Sequence, residues 1–529
     1  MTGTATRRRE GREGTRSTST AIHGRHRTRE QRHGQNNNFL LCPCGLPCTR
    51  CIPWSAVAVL RGLRALRVFA LSFSVLGVAS AASAQKQTPE QLRSAILKEL
   101  VEINTSDSAG HVGDAARAMA KRLTDAGFPA ADVKVIGENA KLQALVARYR
   151  GKNPSMKPML MIAHLDVVDA RKEDWSTDPY KLVEKDGWYY GRGVLDDKQG
   201  DAIIVSTLIR LKQEGFVPDR DIIIALSADE ETNGLSIQWL INKNRSLIDA
   251  EFALNADAGG GEVRDGKPVR LTVQTAEKVY ITYEFEVRNK GGHSSLPVSD
   301  NAIYRLSRGL EKLAAYSFPV KLNETTRAFF EKAAATQSAD VAADMRAVAK
   351  TGDPAAAQRL SKVPLYNSTL RTTCVATRLF AGHADNALPQ VARATVNCRL
   401  LPDHPPDSAT AQLKRIVGDT AIHVRVSDPP TLSPASPLRP DVMGAVTKYA
   451  AKYWPGATIV PEMSTGASDG LYLRNAGIPV YGTSAIFDRI DDDRSHGRDE
   501  RINVKAFHTA GEYWYDLVKA LSSGAVAQH

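Results

Sequence analysis

Apolar and polar positions alternate along most of the chain with periods that change from segment to segment. PEQLRSAILKEL, from residue 89, opens a stretch with helical spacing that runs to about residue 126. The run KPMLMIAHLDVV (157–168) is nearly continuous in apolar residues, as is DIIIALSA (221–228). Both predict buried strands, with a helix over 201–213 between them. Strands alternating with helices predict a layered α/β domain. Near residue 280 the character changes. VYITYEFEVRN alternates like a half-exposed strand, and STLRTTCVATR, QVARATVNCRLL and AIHVRVS follow as further strands. PPTLSPASPLRP (429–440) reads as a linker, after which DVMGAVTKYAAKYW and IPVYGTS resume the first pattern. The predicted architecture is an α/β catalytic domain in two parts, 85–280 and 431–529. A smaller α+β domain, 281–430, is inserted between them.

The N-terminal segment is different. Residues 1–60 read as a disordered basic extension, and 61–84 as a signal peptide. Arg61, Arg64 and Arg67 precede the apolar run Val68–Val78, and Ala82-Ser83-Ala84 offers a cleavage site before Gln85. The apolar run is short for a membrane span, so no stable membrane insertion is expected after cleavage. Export to a periplasm or secretion follows. The sixty residues ahead of the signal suggest a true start further downstream.

This segment also explains the charge. The whole chain carries +11, but residues 1–84 hold 13 Arg and 3 acidic residues, leaving about +1 for the other 445. A near-neutral body gives no electrostatic case for a nucleic-acid partner. Cys42, Cys44, Cys48 and Cys51 cluster in the prefix, a weak zinc pattern. Cys374 and Cys398 sit in strand-like runs and read equally as a disulfide or as two buried thiols.

Candidate chemistry lies just beyond the apolar runs. His164-Leu165-Asp166 places an imidazole and a carboxylate at i, i+2, on one face if the strand continues. GRGVLDDKQG holds the adjacent acids Asp196 and Asp197 in a glycine-rich turn. DIIIALSADEE ends in Glu230 and Glu231, which repel unless a metal or proton intervenes. LNADAGGG carries Asp257, and RSHGRDERI carries His496. Each segment alone reads as a polar turn or structural residue; five together in one predicted domain point to a metal centre.

These motifs, with GGHSS and DNALPQ between them, appear in the order seen in the M20 family of zinc peptidases and aminoacylases. The chain resembles that family over roughly residues 90–525, and most closely its carboxypeptidase S-like and N-acyl-amino-acid hydrolase branch. The resemblance implies two Zn2+ per chain, with Co2+ or Mn2+ as substitutes. His164 and Asp257 would hold one ion, Glu231 and His496 the other, and Asp196 would bridge them. Asp166 would orient His164, Asp197 would support the bridge, and Glu230 would serve as general base and acid. His293 of GGHSS would aid the oxyanion; Asn386, Arg399 and Ser468 would bind substrate. Ala258 stands where relatives often have a second acid, and Gln199 where glycine is common. DRIDDDR (488–494) reads as a solvated loop, a charge filter for substrate or an accessory cation site.

The implied activity is a metallopeptidase reaction: release of an amino acid from a dipeptide or short-peptide C-terminus by metal-activated water. An N-acyl-amino-acid amidohydrolase uses the same chemistry and stands beside it. A non-catalytic binding protein on this fold would lack the base or a ligand. The implied partners are a small peptide or N-acyl amino acid, and a second copy of the chain through the inserted domain.

Overall fold

The computed structural model describes residues 87–489 and 491–523. The basic extension, the signal segment and the four prefix cysteines lie outside the described residues. Among those described, no helix is long and apolar enough to cross a membrane.

A mixed ten-stranded sheet forms the main layer. Its centre is parallel: Met159–His164 lies between Ile222–Ser227 and Phe252–Asn255, and Val480–Gly482 continues the set. Both faces of the central strand are covered, which is why its sequence is apolar without alternation. Met159, Met161 and Ala163 enter one core with the helices Pro89–Glu102, Lys198–Gln213 and Val504–Ser522. Leu160 and Ile162 enter another with Leu235–Lys243 and Gly470–Asn475. The period-2 side-chain alternation of a strand divides one apolar run between two cores.

A separate four-stranded antiparallel sheet has the order Thr373–Ala381, Val391–Leu400, Val279–Arg288, His423–Asp428. The helices Ala302–Ala315 and Pro406–Val417 cover one face and share its core, with Val396 and Cys398 opposite Leu306 and Leu413. Cys374 and Cys398 are register partners on adjacent strands and form a disulfide.

The stretch 281–430 does not pack as one piece. The helices between Glu324 and Leu370 gather around Phe329, Phe330 and Met345, and Val460 of the main-sheet strand Thr458–Ser464 joins that cluster. Thr325 and Thr275 hydroxyls meet at 2.8 Å across the same contact. The Ala/Lys/Asp-rich sequence of 330–356 gives no hint of which sheet its helices will cover.

Candidate metal centre and active site

The sheet places the candidate residues by letting strands run out together. Met159–His164 ends on His164; Ile222–Ser227 runs into the Asp229-Glu230-Glu231 turn; Phe252–Asn255 runs into Asp257. These are neighbouring parallel strands, so their C-terminal ends meet at one edge, where open α/β sheets bind ligands. Asp196 and His496 arrive on loops. Gly259, with φ +72°, lets the 257–261 segment pass close to Gly482, whose carbonyl oxygen a Cβ would approach to 2.5 Å.

Two donor sets result, and Asp196 belongs to both. His164 Nε2 lies 3.1 Å from Asp196 Oδ1 and 3.7 Å from Asp257 Oδ1. His496 Nε2 lies 3.2 Å from Asp196 Oδ2 and 2.9 Å from Glu231 Oε2. Donors about 2.0–2.2 Å from one tetrahedral ion stand about 3.4 Å apart, so these spacings fit a divalent metal with nitrogen and oxygen ligands. His164 is buried and its Nδ1 lies 3.1 Å from the Asp166 carbonyl. That carbonyl can only accept, so Nδ1 carries a proton and Nε2 faces the acids.

Asp166 is placed for a further task. Its carboxylate accepts the backbone N–H of Glu230 at 3.1 Å and of Glu231 at 3.0 Å. It thereby fixes the turn that presents both glutamates. Its carboxylate oxygen is 3.6 Å from His164 Nδ1, beyond good hydrogen-bond distance. Asp197, adjoining Asp196 through a cis peptide, is buried and accepts from Gln199 Nε2 at 2.8 Å.

The electrostatics of the metal-free chain show the strain of like charges. Burial, then the charge of Asp257, pushes the Glu230 carboxyl well up. Burial pushes Asp257 up to about 6 against the pull of His164. Burial opposes charge on His164, but Asp166, Asp196 and Asp257 outweigh it and raise its pKa. Hydrogen bonding to Asp196 and Glu231 lifts His496 to about 10. Burial would raise Asp196 too, yet the two histidines hold it well below the usual range. A cluster that keeps two imidazoles protonated to balance its acids is one that divalent cations would satisfy.

A cavity of about 530 Å³ opens over the cluster, lined among others by Asp196, Glu230, Glu231, Asp257, Ser468 and His496. The Glu230 carboxylate lines it with no hydrogen-bond partner among the described residues. Asp488, Asp492 and Asp493 of the acid-rich loop also reach it. Much of that loop's charge is internally paired: Arg489 with Asp491 at 2.6 Å, Asp492 with Arg494 at 2.8 Å and also with Arg501.

The remaining candidates stand in three places. Ser468 is buried, donates to Glu277 Oε1 at 2.5 Å and receives the Gly470 N–H at 3.2 Å. Arg399 donates to the Thr465 carbonyl at 2.9 Å and stacks over Tyr280, its guanidinium carbon 4.6 Å from the ring centre. His293 and Asn386 come together on an exposed two-stranded ribbon, Gly292–His293 against Ala387–Leu388, with the Asn386 carbonyl accepting the Ser294 N–H at 3.0 Å. Neither lines the cavity.

Sequence reasoning passed over Glu500, four residues beyond His496. It is fully buried and receives the backbone N–H of Asp196. The charged run RDER gave it the look of a surface residue.

The sequence profile of peptidase family M20/M25/M40 matches residues 160–520, which include all five donors. The chain belongs to this family. Human N-fatty-acyl-amino acid synthase/hydrolase PM20D1 is 28% identical over 381 residues, covering 70% of this chain and 75% of the relative. Probable carboxypeptidase S-like 2 of Dictyostelium discoideum is 26% identical over 397 residues, covering 71% and 74%. Among solved structures, the M20 family metallo-carboxypeptidase Sso-CP2 from Sulfolobus solfataricus aligns with TM-score 0.59 at 17% identity, over 81% of this chain and 99% of that one. This last likeness is one of fold. As an M20 protein the chain is a metal-dependent hydrolase, and its two donor sets are where the family's chemistry has residues to use.

Proposed function

We propose that this M20 hydrolase is a two-zinc exopeptidase that releases the C-terminal amino acid of a dipeptide or short peptide. The observation that carries the reading is Asp196, whose two oxygens face His164 and His496 separately, beside a Glu230 carboxylate with no partner among the described residues. When bound, the two ions supply Lewis acidity toward water and toward the scissile carbonyl. Glu230 accepts a proton from the attacking water and returns it to the departing nitrogen. One amide and one water thus become a carboxylic acid and a free amino acid. Asp166 keeps Glu230 and Glu231 aimed by holding their backbone. His293 is available to the oxyanion only when the exposed ribbon or a second copy brings it to the cavity. Arg399 and Asn386, which do not line the cavity, are the proposed grips on substrate once the smaller sheet and its ribbon close over it, and Ser468 lines the cavity wall.

A second reading, an N-acyl-amino-acid amidohydrolase, is favoured by the name of the human relative. It cleaves the same kind of bond, an amide whose nitrogen belongs to a terminal amino acid. The two differ in whether the acyl side bears a free amine.

Dimerisation through the smaller sheet is supported by its edge strand Thr373–Ala381, on which Val375, Leu379 and Phe380 are exposed. Export is supported by the Cys374–Cys398 disulfide, a bond that persists in oxidising compartments.

The test is metal counting on purified protein, followed by amino-acid release from dipeptides, longer peptides and N-acyl amino acids. Two zincs per chain and chelator-sensitive release from free-amine peptides are expected. Faster release from N-acyl amino acids would favour the second reading. Folded protein without activity after zinc or cobalt addition would reject both.

A further inference from the structure

Four donors converge on one buried carboxylate beneath the metal cluster. Glu500 Oε1 accepts the backbone N–H of Leu195 at 2.7 Å and of Asp196 at 3.1 Å. Its Oε2 accepts the Gly193 N–H at 3.0 Å and Arg192 Nη1 at 2.6 Å. A carboxylate offers about four lone-pair positions, so this one is saturated. The stitching continues on both sides. The Glu500 carbonyl accepts the Gly191 N–H at 3.2 Å, and Arg192 Nη2 donates to the Gly497 carbonyl at 2.8 Å.

The bonds join two turns that each carry a metal donor. One is 191–197, which presents Asp196; the other is 494–500, which presents His496. Neither donor sits in a helix or strand, and His496 holds a left-handed backbone at φ +60°. Side chains on such loops keep their spacing only if the backbone beneath them is fixed.

We infer that Glu500 is a positioning residue that sets the separation of Asp196 and His496. It thereby sets the affinity of the His496–Asp196–Glu231 donor set for a divalent ion. The inference rests on the metal reading of the site but concerns a residue that touches neither ion nor substrate. A mere contribution of Glu500 to fold stability would affect both donor sets alike. Its contacts reach the loops of both Asp196 and His496 in one set, but only the shared Asp196 in the other, whose His164 and Asp257 lie at strand ends it does not touch.

Glu500→Gln is the direct test, because glutamine turns an NH2 toward two N–H donors while nearly preserving volume. Chelated parent and variant are titrated with zinc and with cobalt, and cobalt absorption reports each binding step. The expected result is one binding step reduced about 10–100-fold, the other reduced much less, and turnover restored by excess metal. Equal weakening of both steps, or no weakening, overturns the inference. If the variant does not fold, hydrogen exchange on the chelated parent decides. Amides of Gly193, Leu195 and Asp196 held by Glu500 exchange slowly, and rapid exchange in the folded parent overturns it. A parent that binds no divalent ion defeats the two-metal reading and is told apart from either result.

Discussion

The Ser468 hydroxyl donates to Glu277 Oε1 at 2.5 Å, in a part of the site where the sequence suggests a substrate contact. Glu277 ends the strand Lys267–Glu277 and also pairs with Arg474 Nη2 at 2.7 Å, all three residues being buried. The hydroxyl is therefore already committed. Ser468→Ala should lower stability by about 1–3 kcal/mol, since a buried carboxylate loses a donor. Urea unfolding measures this. Unchanged stability with a large rise in KM would instead make Ser468 a substrate ligand.

Glu230 lines the cavity with its carboxylate unpartnered among the described residues, whereas the neighbouring Glu231 meets His496. Glu230→Gln should keep two metals per chain and lose about 10²–10⁴ in kcat. Metal analysis and steady-state kinetics on one preparation check both halves. Retained turnover with full metal would remove Glu230 as the proton carrier.

The ribbon bearing His293 is exposed, and its imidazole Nδ1 is held locally by the Ser295 N–H at 3.2 Å. Removal of the ring costs the fold little. His293→Ala should leave the melting temperature and metal content near the parent's and reduce kcat about 10²–10³-fold. A fully active variant would return His293 to the role of a surface loop residue.

Removing metal should cost more stability at pH 9 than at pH 6. Protonated His496, lifted to about 10, contributes fully below its unfolded value of about 6.5, and that contribution fades as pH climbs toward 10. Asp257, raised to about 6, adds a cost that has already developed by then, because it charges unfavourably between about pH 4 and 6. Asp196, whose pKa is lowered, acts in the opposite sense but only below about pH 4. Metal-loaded protein needs these donors deprotonated, so its stability advantage should widen over the same range. Thermal melts with and without chelator at both pH values test this. Parallel curves would contradict it.

The sequence by itself determined the strands, because burial on both faces leaves a continuous apolar run such as 158–163 that few other structures tolerate. It also put the candidate donors in order along the chain, because chemistry that needs imidazoles and paired acids leaves them beside turns at strand ends. Tertiary structure alone decided which donors pair with which. His164 and Asp257 meet because their strands are neighbours in one parallel sheet, while His496 reaches Asp196 across 300 residues of chain. It decided that the helices of 324–370 cover the main sheet, that Cys374 and Cys398 bond, and that Ser468 faces Glu277. It also gave Glu500 its place, since a glutamate in a charged run has no local mark of burial. Its partners are backbone N–H groups, which every sequence carries and none advertises.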